Sequence, residues 1–193
     1  MSEFLSDSDS YDELFQACEG FIGNLNTLHA RAGNQVPFTS ITLGMDTSPK
    51  ARLITKAILE AYEAGLGHGE QPMFPNILFK IKSGINRNPE DPNYDLYQLA
   101  LKVTGTRMFP TYINMDSSFN EPYGTEVSYM GCRTRIASNV NGPAVANGRG
   151  NIAFVTINLP WIALEAKGNI DKFFEILESR MKLCEDQLIH RYN

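Results

Sequence analysis

Apolar residues recur at helical spacing near the start of the chain, where Leu14, Phe15, Cys18, Phe21, Ile22, Leu25 and Leu28 share one side of a 3.6-residue spiral. Ser10, followed three residues later by Glu13, has the form of a capping box, and Gly33 is a natural C-terminal stop. The pattern predicts a helix across this span. "PFTSITLG" then gives a short β-rich run with Phe38, Ile41 and Leu43. Ser48-Pro49 supplies an N-cap and a proline at the first helical position, predicting a second helix from Pro49 to Ala64 that "GLGHG" ends. "NILFKI" (Asn76 to Ile81) reads as a strand, "GINRNPEDPN" as a turn-rich loop, and Tyr94 to Val103 as a third helix. "RMFPTYINM" reads as a further strand, Asp116 to Gly150 as a long irregular region, and "AFVTINL" as a buried strand. Two helices follow: a short one near Pro160, and a long one from Asn169 with Ile170, Phe173, Phe174, Leu177, Met181, Cys184 and Leu188 on one stripe.

Strands alternating with helices predict an α/β protein whose sheet has substantial parallel character, either open or closed into a barrel. Periodicity does not choose between the two. The region from Asp116 to Gly150 breaks the alternation, and structureless loops of that length in compact domains are more often functional than accidental. "SDSDS" at the start is polar, so residues 1–10 are expected to form a frayed tail.

Composition narrows the function classes. The chain has 193 residues, 42% hydrophobic and 20% charged, within the range of soluble globular proteins. Its net charge of −5 and lack of a basic run argue against a nucleic-acid partner, leaving single nucleotides possible. Apolar runs fall short of the roughly 18–20 residues that span a bilayer, and the acidic "MSEFLSDSDSYDE" is unlike a signal peptide. A cytoplasmic protein with no membrane partner is the expectation. Cys18, Cys132 and Cys184 are widely spaced, with no C-x-x-C, which argues against a disulfide framework or a zinc site.

Cys18 and Cys184 lie on helix stripes, where a cysteine packs as a small hydrophobe. Cys132, in "SYMGCRTRI", lies outside any apolar pattern, and Arg133 and Arg135 flank it with charges able to lower a thiol pKa. It reads either as a buried loop cysteine or as a reactive one. A nucleophilic role needs a base, and His29, His68 and His190 are all remote in sequence; a role as hydrogen-atom carrier needs none. "NGRGN" (Asn147 to Asn151) is a Gly-rich turn whose backbone N–H groups could meet an anion, though no P-loop lysine follows. "GLGHGE" first serves to stop a helix, and His29 and Arg31 are explained by the C-terminal end of the first helix, where cations are favoured. Glu90, Asp91, Asp95 and Asp116 have no metal-ligand spacing.

Five ordered segments, "NLNTLHARAGNQVPFTSITLGMDTSP", "GLGHGEQPMFPNILFKIKSGIN", "DPNYDLYQLA", "YMGCRTRI" and "GRGNIAFVTINLP", resemble the central part of the anaerobic, class III ribonucleoside-triphosphate reductases, which are glycyl-radical enzymes. The resemblance runs from about Tyr11 onward. It implies that residues 11–193 form part of a ten-stranded α/β barrel, with a loop bringing a cysteine to its centre. Cys132 matches the cysteine whose thiyl radical abstracts the ribose 3′ hydrogen. Asn151 is the best match to an asparagine near the ribose hydroxyls, with Asn158 its rival, and Gly150 and Arg133 join them as expected substrate contacts. Implied partners are a ribonucleoside triphosphate substrate, nucleotide effectors, a radical-SAM activating enzyme and a second copy of the full enzyme. Formate or a small redox protein is the implied reductant.

The chain departs from the family in carrying no R-x-C-G-Y glycyl-radical motif, no zinc-binding cysteine quartet, no ATP-cone and no second active-site cysteine. It has Trp161 where a basic residue usually follows "NLP". The glycyl radical and zinc are therefore expected on a C-terminal part outside this segment, with no cofactor bound by the segment itself. The segment is expected to be inactive alone. Alternatives are a formate-lyase-type glycyl-radical enzyme, which often has two adjacent cysteines on the loop, and a catalytically silent nucleotide-binding or assembly module.

Overall fold

A computed structural model describes residues 6, 10–29, 36–130, 134–136, 139, 142–143 and 155–192. The chain divides into two compact units, Met1–Asn147 and Gly148–Asn193.

The first unit opens with α1 (Tyr11–Thr27), started by the expected capping box: the Ser10 hydroxyl accepts from the Glu13 N–H, and the Glu13 carboxylate accepts from the Ser10 N–H. The helix ends before Leu28, earlier than the periodicity predicts. Asn26 explains the early end. Its amide donates to Ile22 O at 2.7 Å and Phe74 O at 2.6 Å, and its oxygen accepts from the Met73 and Phe74 N–H groups. These bonds tie the last turn to a distant segment. His29 accordingly lies beyond the helix rather than in its last turn, and Arg31 is outside the described residues.

Next come β1 (Ser40–Leu43), α2 (Pro49–Ala64), β2 (Asn76–Ile81), α3 (Tyr94–Arg107) and β3 (Thr111–Asn114). The strands form one sheet in the order β1-β2-β3, with both pairs parallel. Alternation along the strands separates the two faces. Leu43, Ile77 and Phe79 pack with Cys18 and Ile22 of α1, with Ile54, Ala57, Ile58, Leu59, Ala61 and Tyr62 of α2, and with Leu96, Ala100 and Val103 of α3. Leu78 and Ile113 face the other way and pack with Met115 and Val127.

The third helix continues to Arg107, one turn past its predicted end, and takes in the start of the expected strand. Long-range bonds hold that turn: Arg107 donates to Glu63 O and Ala64 O, capping the carbonyls at the end of α2, and to Gly69 O in the loop that follows. Met108 then turns the chain in the left-handed region (φ 61°), and β3 begins only at Thr111.

The region read as irregular holds a 3₁₀ segment, Glu121–Glu126, kinked at Gly124, and a short antiparallel pair, β4 (Ser128–Met130) with β5 (Thr134–Ile136). In the second unit, α4 (Leu159–Ala166) and α5 (Ile170–Tyr192) pack through Ile162, Ala166 and Ile176. Residues 155–158 of the expected "AFVTINL" strand carry no strand, and Val155 is 38% exposed. No strand among the described residues pairs with them, and an apolar run needs neighbours on both sides to become a buried strand. The predicted stripe on α5 is also largely uncovered: Ile170, Phe174, Met181 and Leu188 are exposed, and Ile176 alone of the described α5 residues is buried.

Candidate functional site

Chemistry in parallel α/β sheets gathers at the carboxyl ends of the strands, and here those ends are built from fully buried amides. Beyond β1 the chain turns at Gly44 (φ 108°), where a Cβ would lie 2.6 Å from Lys80 O. Only glycine fits that corner. Asn86, from the turn-rich loop after β2, donates to Gly44 O at 2.9 Å and Lys80 O at 2.8 Å and accepts from the Lys82 N–H at 2.9 Å. Asn93 donates to Gly44 O and Asp46 O, and its own oxygen accepts from Arg52 of α2 at 2.6 Å. Arg52 also pairs with Asp95 at 2.7 Å. Asn86 and Asn93 have no exposed surface, and together they fix the loops after β1 and β2 as one piece. Beside them a cleft of about 340 Å³ is lined by Thr42 to Asp46, Ala51, Ile54, Thr55 and the nearly buried Lys80.

The carboxyl end of β3 is joined to β2 through Asp116. Its carboxylate accepts from the Ser83 N–H and hydroxyl, each at 2.9 Å, and lies 3.2 Å from Arg87 Nε and 3.7 Å from Lys82 Nζ. Burial pushes the Asp116 pKa up, but the Ser83 bonds and the Arg87 and Lys82 charges outweigh it and hold the group below its ordinary value. Arg87 also donates to Asn114 Oδ1. The polar chain continues outward: Asn120 donates to Asn114 O at 2.8 Å, and Arg135 of β5 donates from Nε to Asn120 Oδ1 at 3.0 Å and to Phe119 O at 2.6 Å. Below this chain, Val127, fully buried, packs with Leu78, Ile113 and Met115 on the sheet face that the helices leave open. The β4–β5 pair is thus fixed to that face from both a polar and an apolar side.

Of the site residues read from sequence, Cys132, Arg133, Gly150 and Asn151 lie outside the described residues. Positions 131–133 fall between β4 and β5, whose ends are described. Asn158 is the N-cap of α4, its Oδ1 accepting from the Trp161 N–H at 3.0 Å. Cys18 is buried in the main core, and burial raises its thiol pKa. Cys184 is half-buried along a groove between Val155–Asn158 and α5, so its helix stripe does not bury it fully. The His68 N–H donates to Glu70. Asp91, Asp95 and Asp116 are each engaged by backbone N–H groups or arginines, and the described residues hold no group of three His, Cys, Asp or Glu side chains able to bind a metal. Asn86 and Asn93 did not stand out in the sequence as parts of a site, and Arg135 stood out only as a charge beside Cys132. The only signal for the two asparagines was a loop dense in turn-forming residues, which gives no hint of burial.

Comparison with known proteins gives the family of the chain. The chain matches the family described as anaerobic ribonucleoside-triphosphate reductase over residues 1–193, its whole length. It belongs to that family. It is 37% identical over 193 residues to the anaerobic ribonucleoside-triphosphate reductase of Escherichia coli K12, covering 98% of this chain and 27% of that protein. The Salmonella typhimurium protein of the same name is 38% identical over 182 residues, covering 93% of this chain and 25% of the relative. That of enterobacteria phage T4 is 36% identical over 192 residues, covering 95% and 32%. The chain thus spans about a quarter to a third of the length of these reductases. Among its described residues no helix is long and apolar enough to cross a membrane.

Proposed function

We propose that this chain forms the substrate-pocket sector of an anaerobic ribonucleoside-triphosphate reductase, with Cys132 as the hydrogen-atom carrier. The observation that carries the reading is the seating of β4 and β5 on the sheet face opposite the helices, through Val127 against Leu78, Ile113 and Met115. Three parallel strands in sequential order, with α1, α2 and α3 against one face, suit a sector of an α/β barrel whose other face looks into the lumen. In that arrangement the short pair flanking residues 131–133 belongs to the barrel interior.

The chemistry follows from one sulfur held near a sugar. As a thiyl, Cys132 takes the 3′ hydrogen atom of the ribose: the C3′–H bond breaks, an S–H bond forms, and the unpaired electron remains on C3′. Close approach of the reacting atoms matters more than basicity in such a step, so fixing both strand ends beside residues 131–133 is the work that the described side chains do. Asn151 is the better of the two candidate ribose contacts, because the Asn158 oxygen is occupied in capping α4. Gly150, through its backbone, and Arg133, through its charge, complete the proposed substrate contacts. Ribonucleoside triphosphates are the substrates, formate or a small redox protein the reductant, and the radical would be passed to Cys132 from a glycyl radical that a radical-SAM activating enzyme generates. Nucleotide effectors, dimer formation and a cytoplasmic setting belong to the same reading.

The test is anaerobic ribonucleotide reduction by the natural polypeptide carrying this segment, with Cys132→Ser. Deoxyribonucleotide formation is expected to fall to background while nucleotide binding persists on the same sample. A Cys132→Ser protein that still reduces ribonucleotides overturns the assignment.

A further inference from the structure

Helix α3 begins without the bond that a side chain at its head ordinarily supplies. Asn93 stands at the N-cap, a position where asparagine, aspartate and serine serve about equally well by accepting from the N–H groups of the first turn. Its side chain makes no such bond, and its backbone (φ −111°, ψ 19°) lacks the extended form of Ser10 and Ser48, which cap their own helices. The amide serves the loop after β1 instead. Nδ2 donates to Asp46 O at 2.9 Å and to Gly44 O at 3.2 Å, and Oδ1 accepts from Arg52. Arg52 can only donate, so it fixes the oxygen end of the amide and leaves the NH2 group facing the two carbonyls. Only an amide suits all three partners: aspartate sets a further acceptor against the carbonyls, and serine has a single proton to give.

The residues so held are one wall of the cleft, which Gly44, Met45 and Asp46 all line. Gly44 O is held twice, by Asn86 as well as by Asn93, whereas the bond to Asp46 O is from Asn93. Gly44 is thus a fixed end, and Met45–Asp46 is the part that depends on Asn93. We propose that Asn93 is a latch on this cleft: it is withheld from the cap of α3 to hold Met45 and Asp46 in place, and the wall loosens when the side chain turns back to its own helix. The wall lies at the carboxyl ends of parallel strands, the end where such sheets bind ligands, so the latch sets the width of the opening that a ligand meets. The latch is independent of the role given to Cys132.

The test is methionine oxidation by dilute hydrogen peroxide in the 193-residue chain, read by mass spectrometry for wild type, Asn93→Ser, Asn93→Asp and Asn93→Ala. Met45, half-buried against Leu78, Ile113, Met115 and Val127, reports the wall. Met115, 1% exposed in the same cluster, reports general opening, and Met108, 86% exposed, reports the reagent. Loss of the amide is expected to raise the Met45 rate relative to Met108 roughly threefold in all three variants, with Met115 unchanged. If Asn93 served only its helix, serine and aspartate would keep the wild-type rate and alanine alone would raise it; that result overturns the proposal. A Met45 rate that stays flat, or rises only in step with Met115, overturns it too. Arg52→Lys keeps the charge but loses the fork that orients Asn93, and a smaller rise at Met45 is expected there. Should the Asn93 variants fail to fold, an unchanged Met45 rate in Arg52→Lys overturns the proposal by itself.

Discussion

Asn86 shows how one side chain can organise a site without touching a substrate. It satisfies Gly44 O, Lys80 O and the Lys82 N–H from a position with no exposed surface. Alanine there strips all three bonds from buried backbone groups and leaves a void, so Asn86→Ala is expected to cost about 2–4 kcal/mol in denaturant unfolding. Aspartate fits the space but turns the amide donor into an acceptor facing two carbonyls, so Asn86→Asp is expected to be at least as damaging near neutral pH. Equal midpoints for Asn86→Ala and wild type would show that the two loops hold together by other means. Nothing in "GINRNPEDPN" marks Asn86 as buried, because turn composition reads the backbone and not the partner 42 residues away. Cys132 stands out in the sequence for the opposite reason: its surroundings break the apolar pattern, and its motif resembles that of a family.

Among the elements, those with local signals were read correctly. The Ser10 capping box, Ser48-Pro49 at the start of α2 and the β-rich "NILFKI" all act through neighbouring residues, so the sequence contains their whole cause. Errors fall where the cause is distant. The last turn of α3 exists because Arg107 reaches the carbonyls of α2, and α1 stops early because Asn26 serves the Met73–Phe74 segment. The β4–β5 pair escaped because three-residue strands offer too few positions for alternation to register. The long helix α5 was read correctly as a helix, but its stripe is mostly uncovered, and this has a measurable consequence. Stability within a molecule follows local burial. Backbone amides of α2, whose Ala57, Leu59, Ala61 and Tyr62 are essentially inaccessible, are expected to exchange with solvent orders of magnitude more slowly than those of α5. Matching protection in the two helices would mean that α5 is covered in solution by contacts absent from the described residues.

For the molecule as a whole, acidity is the condition that should loosen it, because several carboxylates are held ionised by the folded state. The Ser10 backbone N–H and hydroxyl lower the Glu13 pKa, Ser48 lowers that of Asp46 through its N–H, and Asp116 is lowered, against its burial, by Ser83, Arg87 and Lys82. A group whose folded pKa lies below its unfolded value contributes stability that is fully present above the unfolded value and is lost as pH falls through the folded one. For aspartate the unfolded value is about 3.9, so this contribution is in place at neutral pH and disappears below roughly pH 4. Asp116 has the most at stake, since it joins β2 to β3 at the edge where β5 is tied. Asp116→Asn removes that titration. The variant should be less stable than wild type at pH 6, and the gap should narrow as pH approaches 3, because protonation brings the wild-type side chain to the same neutral state. Thermal unfolding of both proteins across pH 3–6 measures the gap directly. A constant gap would place the effect of Asp116 in its shape and hydrogen bonds, leaving its charge no part in joining the two strand ends.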